Sequence, residues 1–341
     1  MKKSLGIIWN DVHLEIGNEE SIMDAFEYMI TKAKQLKIDT LFFAGDLFHS
    51  RTMQRLKSLQ TFDKMLEIIA TEKMHLHMLP GNHDKTIYKS YESFLDTYKF
   101  YPNVTLYRDA TQINIKGTSI TMMPFFSDDM LIPKLLEAKG GDILLSHFEM
   151  AGSTNLGRTS EKSTINKQLL NKWKKTYLGH YHNHHEITKD IVHLPSFIPA
   201  NFGEDNNKGF SILYDDLSYE IIKGRFREFS KISINLEEVN ISQIKQLIKT
   251  HKNSCNSIRF EFTGSESKLK ALDKSLFAKT GIDVKSKYTQ KFVYDETDTK
   301  PPTINERYSE SDIESTFKSF CDDKGHNFEE GKKYLEQFFK K

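Results

Sequence analysis

Five short stretches of this 341-residue chain carry side chains of the kind that hold metal ions: Asp11-Val12-His13, Gly45-Asp46-Leu47-Phe48-His49, Gly81-Asn82-His83-Asp84, Ser146-His147 and Gly179-His180-Tyr181-His182. On an extended segment residues i and i+2 point the same way, so Asp11 with His13, and His180 with His182, can each face one ion. The lone carboxylate of Asp46 is free to use both oxygens, and two oxygens can bridge two ions. Asn82, His83 and Asp84 offer an amide oxygen, an imidazole and a carboxylate in consecutive positions. Hard oxygen ligands mixed with imidazole, without thiolate, suit Mn²⁺, Fe²⁺ or Zn²⁺ rather than Ca²⁺. Each motif alone is common. Five in order match the needs of two ions sharing a carboxylate about 3.5 to 4 Å apart, the spacing used by phosphatases and nucleases.

The motifs fall at or just after runs that read as strands, where loops leave a sheet and side chains can converge. Apolar runs at residues 5–9, 40–44 and 76–79 alternate with helical spacing at 19–36, through Ile22, Phe26, Met29, Ile30 and Ala33, and at 57–70, through Leu59, Phe62, Leu66 and Ile69. This is a repeating βαβ pattern. Runs at 104–107, 112–115 and 119–123 are closely spaced and predict an antiparallel set, while 143–146 and 176–178 resume the earlier style. Strands at 209–214 and 218–222 are joined by Asp215-Asp216, which suits a tight turn. His75 and His77 alternate with Leu76 and Met78 as on a polar sheet face, and Trp9 and Trp173 are expected in the core.

Composition narrows the class. With 38% hydrophobic residues and a net charge of +1 the chain is globular, and its length suits about two domains. A mean hydropathy of -0.55 and the lack of a long apolar run argue against a membrane span. Asn10 and Asp11 interrupt the first apolar run before it could act as a signal-peptide core, so a cytoplasmic location is expected. Cys255 and Cys321 lie too far apart in sequence to suggest a thiolate metal site or a disulfide framework. Charge is uneven: residues 221–300 hold 16 Lys and Arg against 10 Asp and Glu. Within this basic segment, strands at 232–236 and 257–262 and helices at 241–252 and 266–279 predict a small α/β module. Lys268, Lys270, Lys274 and Lys279 would gather on one side of the second helix, either as phosphate contacts or as a solvated face. Pro301-Pro302 marks a stiff break before two predicted helices, at 311–320 and 327–339.

In the order and content of its motifs the chain resembles the calcineurin-like metallophosphoesterases, over roughly residues 5–222. The resemblance implies an α/β fold, a two-sheet sandwich with a dinuclear site above the strand ends. It also implies that Asp11, His13, Asp46 and His182 hold one ion and Asp46, Asn82, His147 and His180 the other. Gly45-Asp46-Leu47-Phe48-His49, together with Phe202-Gly203-Glu204 and Lys208-Gly209-Phe210, is similar to one branch, the SbcD-type DNA repair nuclease subunits. Asn10, where that branch usually has Ser or Thr, and a short C-terminal region depart from its pattern. The implied organisation is a phosphoesterase domain at residues 1–222, a basic DNA-binding cap at 223–300 and C-terminal helices at 301–341.

The expected function is then a Mn²⁺-dependent DNA nuclease using two divalent ions, working on DNA ends or structures without reading sequence. Its expected partner is a coiled-coil ATPase of the SbcC type, and the expected assembly is a homodimer near the nucleoid. His83, next to the ligand Asn82 but not needed as one, would protonate the leaving oxygen, with Asp84 orienting it. His49 either positions the scissile strand or caps the helix beginning near Arg51. His184 and His185 read as exposed loop residues. Two alternatives share the site: a phosphodiesterase acting on nucleotides or small phosphodiesters, and a scaffold that keeps the fold without turnover.

Overall fold

The computed structural model describes residues 2–155, 158–159 and 163–288, with isolated positions at 317–318, 321, 328–329 and 332. The chain divides into two units, Met1–Tyr288 and Thr289–Lys341. The helices expected at 311–320 and 327–339, and the break at Pro301-Pro302, lie almost entirely outside the described residues.

The βαβ reading holds through the first hundred residues. The structure forms β1 (Ser4–Trp9), α1 (Glu19–Gln35), β2 (Thr40–Ala44), α2 (Leu56–Thr71), β3 (His75–Leu79) and β4 (Val104–Leu106). β1, β2, β3 and β4 are parallel neighbours. The apolar runs of β1 and β2 reflect burial on both faces, as the centre of a covered parallel sheet requires. The chain then crosses to a second layer, with β5 (Thr111–Ile115), β6 (Thr118–Met123), α3 (Asp128–Glu137), β7 (Gly141–Ser146), a separate small hairpin of β8 (Thr154–Asn155) and β9 (Arg158–Thr159), α4 (Lys167–Leu170), β10 (Trp173–Leu178), β11 (His185–Thr188) and β12 (Ile191–His193). β13 (Gly209–Tyr214) and β14 (Tyr219–Lys223) return to the first sheet, giving orders β14-β13-β1-β2-β3-β4 and β11-β12-β10-β7-β6-β5.

The two sheets face each other across Ile8, Phe42, Leu79, Met122, Leu145 and Tyr177. α1 and α2 cover the outside of the first sheet, where Trp9 sits among Phe26, Phe43 and Phe197 with ring centroids 5.0 to 5.7 Å apart. α3 and α4 cover the outside of the second, over Phe126, Leu144 and Trp173. The architecture is the expected two-sheet α/β sandwich. His77 is half-buried between the rings of Phe42 and Tyr107 and bonds the Tyr107 hydroxyl through Nδ1 at 2.7 Å.

Two expectations need correction. The stretch at 104–123 is not one antiparallel set: β4 closes the first sheet in parallel with β3, and only β5 and β6 pair antiparallel. Local spacing could not show that the chain changes sheets at the turn between them. In the basic segment, β15 (Phe229–Asn235), α5 (Ile241–His251), β16 (Ser257–Gly264), α6 (Glu266–Ala271) and β17 (Asp283–Tyr288) make a third, all-parallel sheet with its own apolar cluster around Phe260 and Phe262. The predicted helix at 266–279 is broken, because Leu272 and Asp273 are extended and Asp273 caps a separate 3₁₀ turn at Lys274–Phe277. Lys268, Lys270, Lys274 and Lys279 therefore share no helix face. Lys268 and Lys270 are instead paired with Glu237 and Glu266.

Candidate metal centre

β1, β2 and β3 run parallel in one sheet and β7 and β10 in the other, and the five motifs follow their C-terminal ends. The loops there are tightly wound. Asp11, His13, Asp46 and His180 all adopt positive φ, at 50°, 49°, 60° and 85°. Non-glycine residues enter this region at a cost of about 1 kcal/mol or more, and such strain concentrates at functional sites. Gly45 also has positive φ, and a Cβ there would come within 2.6 Å of His147 Nδ1, so the site has room only for glycine.

Asp84 holds these loops together. Its fully buried carboxylate accepts from the backbone N–H groups of Asp46 and Gly81 on one oxygen and of Leu47 and Phe48 on the other, at 2.8 to 3.3 Å. This corrects the expectation that Asp84 orients His83. The His83 ring is instead fixed by the carbonyl of His49, 2.6 Å from Nδ1.

All seven expected ligands converge. Asp11 Oδ1 lies 3.8 Å from Nε2 of each of His13, His147 and His182. Asp46 Oδ2 lies 3.2 Å from His147 Nε2 and 3.7 Å from His13 Nε2, between the two expected ion positions. Asn82 Oδ1 stands 3.1 Å from His147 Nε2 and 2.9 Å from His180 Nδ1. Among the described residues, three groups of side chains are close enough to grip a cation: Asp11, His13 and His182; Asp11, Asp46 and His147; and His13, Asp46 and His83. Asp11 thus reaches toward the second position as well as the first.

The outer ring nitrogens explain the orientations. His147 Nδ1 donates to the Ala44 carbonyl at 2.8 Å, and His182 Nδ1 donates to Glu204 at 2.8 Å. Each therefore turns its Nε2 inward, the arrangement of a metal-ligating histidine. Inside the cluster, imidazole nitrogens and carboxylate oxygens crowd together: His13 and His182 meet Nε2 to Nε2 at 3.0 Å, and His13 Nδ1 has no partner. Turning the Asn82 amide would let its nitrogen donate to both adjacent rings and to Asp46 Oδ2, but it would do nothing for Asp11, His13 and His182. Positive charge reconciles these groups, and the mix of oxygen and imidazole donors fits two divalent cations.

The electrostatics agree. Burial alone would raise the carboxyls of Asp11 and Asp46, yet the imidazoles around them, His147 foremost, hold both well below the usual carboxylate range. Burial opposes a charge on His147, but the Asp46 and Asp11 carboxylates push it up to about 9. Burial and the nearby His147 lower His180 to about 4. Burial and the neighbouring Asp46 charge raise Asp84 to about 6.

Other expected residues fall around the rim. His49 is half-exposed, its ring centroid 5.9 Å from that of His83 and its Nε2 3.7 Å from Glu15. It does not cap α2, which starts at Leu56 with Arg55 at its N-cap. His184 bonds the Tyr219 hydroxyl at 2.8 Å and His185 stacks on His193, so neither is a free loop residue. Three residues were not expected from the sequence. Asn10 donates to Asp11 Oδ2 at 2.6 Å, giving a role to the departure from Ser or Thr. The Arg51 guanidinium lies 3.0 Å from His83 Nε2. Glu204 backs His182. A polar residue beside a ligand and an acid in a repeated signature were the available signals, but only folding brings them to the site.

Comparison with known proteins agrees with this geometry. Residues 7–224 match the profile of the calcineurin-like phosphoesterases. The chain is 22% identical over 212 residues to Exonuclease subunit 1 of Enterobacteria phage T4, a match spanning 60% of this chain and 60% of that protein. It is 24% identical over 291 residues to Putative phosphoesterase 244L of Invertebrate iridescent virus 6, spanning 78% of this chain and 95% of that one. Among solved structures it is similar to a dimetal phosphatase from Danio rerio, at 10% identity and a TM-score of 0.41, covering 62% of this chain and 93% of that one. It is also similar to the nuclease MPE of Pseudomonas putida, at 12% identity and a TM-score of 0.31, covering 57% and 74%. With the family profile spanning most of the sandwich and the donor cluster at its strand ends, the chain belongs to the calcineurin-like phosphoesterases, metal-dependent hydrolases of phosphate esters.

Proposed function

We propose that this chain is a Mn²⁺-dependent DNA nuclease, hydrolysing phosphodiester bonds in an SbcCD-like end-processing, repair and recombination complex with an SbcC-type coiled-coil ATPase. The observation that carries the reading is the convergence of Asp11, His13, Asp46, Asn82, His147, His180 and His182 from five strand ends, with Asp46 between the two halves of the cluster. The nuclease assignment is supported by the likeness to the phage exonuclease subunit and by the Phe202-Gly203-Glu204 and Lys208-Gly209-Phe210 runs.

Two divalent cations bound in the cleft would neutralise the phosphodiester and ease deprotonation of a water near neutral pH. His83 donates through Nδ1 to the His49 carbonyl and accepts from Arg51 at Nε2, and burial lowers its pKa, so it would give a proton to the leaving oxygen only after taking one up at Nε2. Arg51 beside it offers a guanidinium to a phosphate oxygen. The basic module at residues 223–300 would add sequence-independent backbone contacts. The test is degradation of linear duplex, hairpin and single-stranded DNA with Mn²⁺, beside a cyclic nucleotide. Turnover of the cyclic nucleotide alone would replace the nuclease reading with that of a small-molecule phosphodiesterase.

A further inference from the structure

The Phe202-Gly203-Glu204 run has a location that its use as a branch marker does not explain. Glu204 is almost wholly enclosed, with a side chain only 4% exposed, and both of its carboxylate oxygens accept hydrogen bonds. Oε1 accepts from His182 Nδ1 at 2.8 Å and from Asn201 Nδ2 at 2.8 Å, and Oε2 accepts from the Ala200 amide at 3.1 Å. The fully buried Lys208 lies 3.7 Å from Oε2 and donates to the carbonyl of His182 itself at 2.6 Å. One carboxylate and one ammonium therefore fix both the ring and the backbone of the same histidine.

The loop that carries Glu204 is anchored on the other side by the third sheet. The Phe202 ring packs edge-on against Phe229 at 4.9 Å and lies under the Arg259 guanidinium at 4.1 Å. Asn206 exchanges two hydrogen bonds with the backbone of Phe229, at 2.9 and 3.0 Å.

We propose that Glu204 is a positioning residue of the metal centre: its carboxylate keeps the His182 proton on Nδ1 and turns the Nε2 lone pair toward Asp11 and His13. An imidazole backed by a carboxylate is a more basic and better-oriented ligand, and loss of such a partner typically weakens metal binding about 10- to 100-fold. The inference rests on the two-cation reading of the cleft.

The test compares the full chain with Glu204→Gln and Glu204→Ala. Calorimetric titration of the metal-free proteins with Mn²⁺ should show binding about 10- to 100-fold weaker in Glu204→Ala, and a smaller loss in Glu204→Gln, which keeps the shape and an acceptor oxygen. Equal affinity in all three would overturn the proposal. Nitrogen-15 NMR of the metal-free proteins gives a readout independent of metal. His182 should be the Nδ1–H tautomer in the parent chain and lose that preference in Glu204→Ala. An unchanged tautomer overturns the proposal even if metal binding falls. A parent chain that takes up no Mn²⁺ but shows the Nδ1–H tautomer would sink the two-cation reading and leave the Glu204 to His182 hydrogen bond standing. Should Glu204→Ala fail to fold, Glu204→Met, which keeps the bulk and removes the acceptor, carries both measurements.

Discussion

The Nε2 atoms of His13 and His182 stand 3.0 Å apart although 169 residues separate them in the chain. His182 keeps its proton on the far side, toward Glu204, so its lone pair points at the His13 ring with Asp11 Oδ1 3.8 Å from both. His13 meets that lone pair through a proton on its own Nε2, and a cation held by both rings would take that proton's place. Binding to the folded state alone should therefore stabilise the protein, by about 2.7 kcal/mol at a free Mn²⁺ concentration 100 times the Kd. Thermal melts with Mn²⁺ and with a chelator measure this. His182→Ala should abolish most of the difference, and an equal metal-induced rise in that variant would remove His182 from the ligand set.

His83 separates binding from turnover. Its ring is tied to His49 and stands within reach of Asp46 and His13, so His83→Ala should weaken Mn²⁺ uptake far less than it lowers phosphodiester cleavage, which should fall about 100-fold or more. Paired calorimetry and turnover assays check this. A variant that cuts as fast as the parent would take the proton-donor role from His83.

Asp84 carries a structural load. Four amides converge on its carboxylate, and Asp84→Ala would leave them buried without acceptors, at a cost of about 3 to 5 kcal/mol. Urea unfolding should show this loss, with a smaller one in Asp84→Asn. A drop below about 1 kcal/mol would mean that the loops close without it.

Acid should weaken the fold through His77. Burial, aided by the neighbouring His75, lowers it to about 4, below the value near 6.5 expected once unfolded. As pH falls, the unfolded chain takes up the proton first, so stability is present above about pH 6.5 and is lost toward pH 4. Because the ring is only partly enclosed, the loss should be about 1 to 2 kcal/mol. His77→Gln should flatten the stability profile over that window, and an unaltered slope would assign the acid sensitivity elsewhere.

The sequence by itself determined which residues could hold metal and that they follow strand ends, because hydrophobic period and side-chain chemistry are local properties. Strands β1, β2, β3, β7 and β10, helices α1 and α2, and the seven side chains that come together at the strand ends were legible on that basis. Tertiary structure alone decided the rest. The sheet change between β4 and β5 depends on which strand edge is open, and the break at Leu272 depends on packing within the third sheet. Asp84 reads in sequence as one more acid beside a histidine, and only the fold aims it at four amides instead of the His83 ring. The partnerships of Asn10 with Asp11, Arg51 with His83 and Glu204 with His182 likewise follow from where loops meet, since a hydrogen bond is set by distance and direction in space and not by separation along the chain.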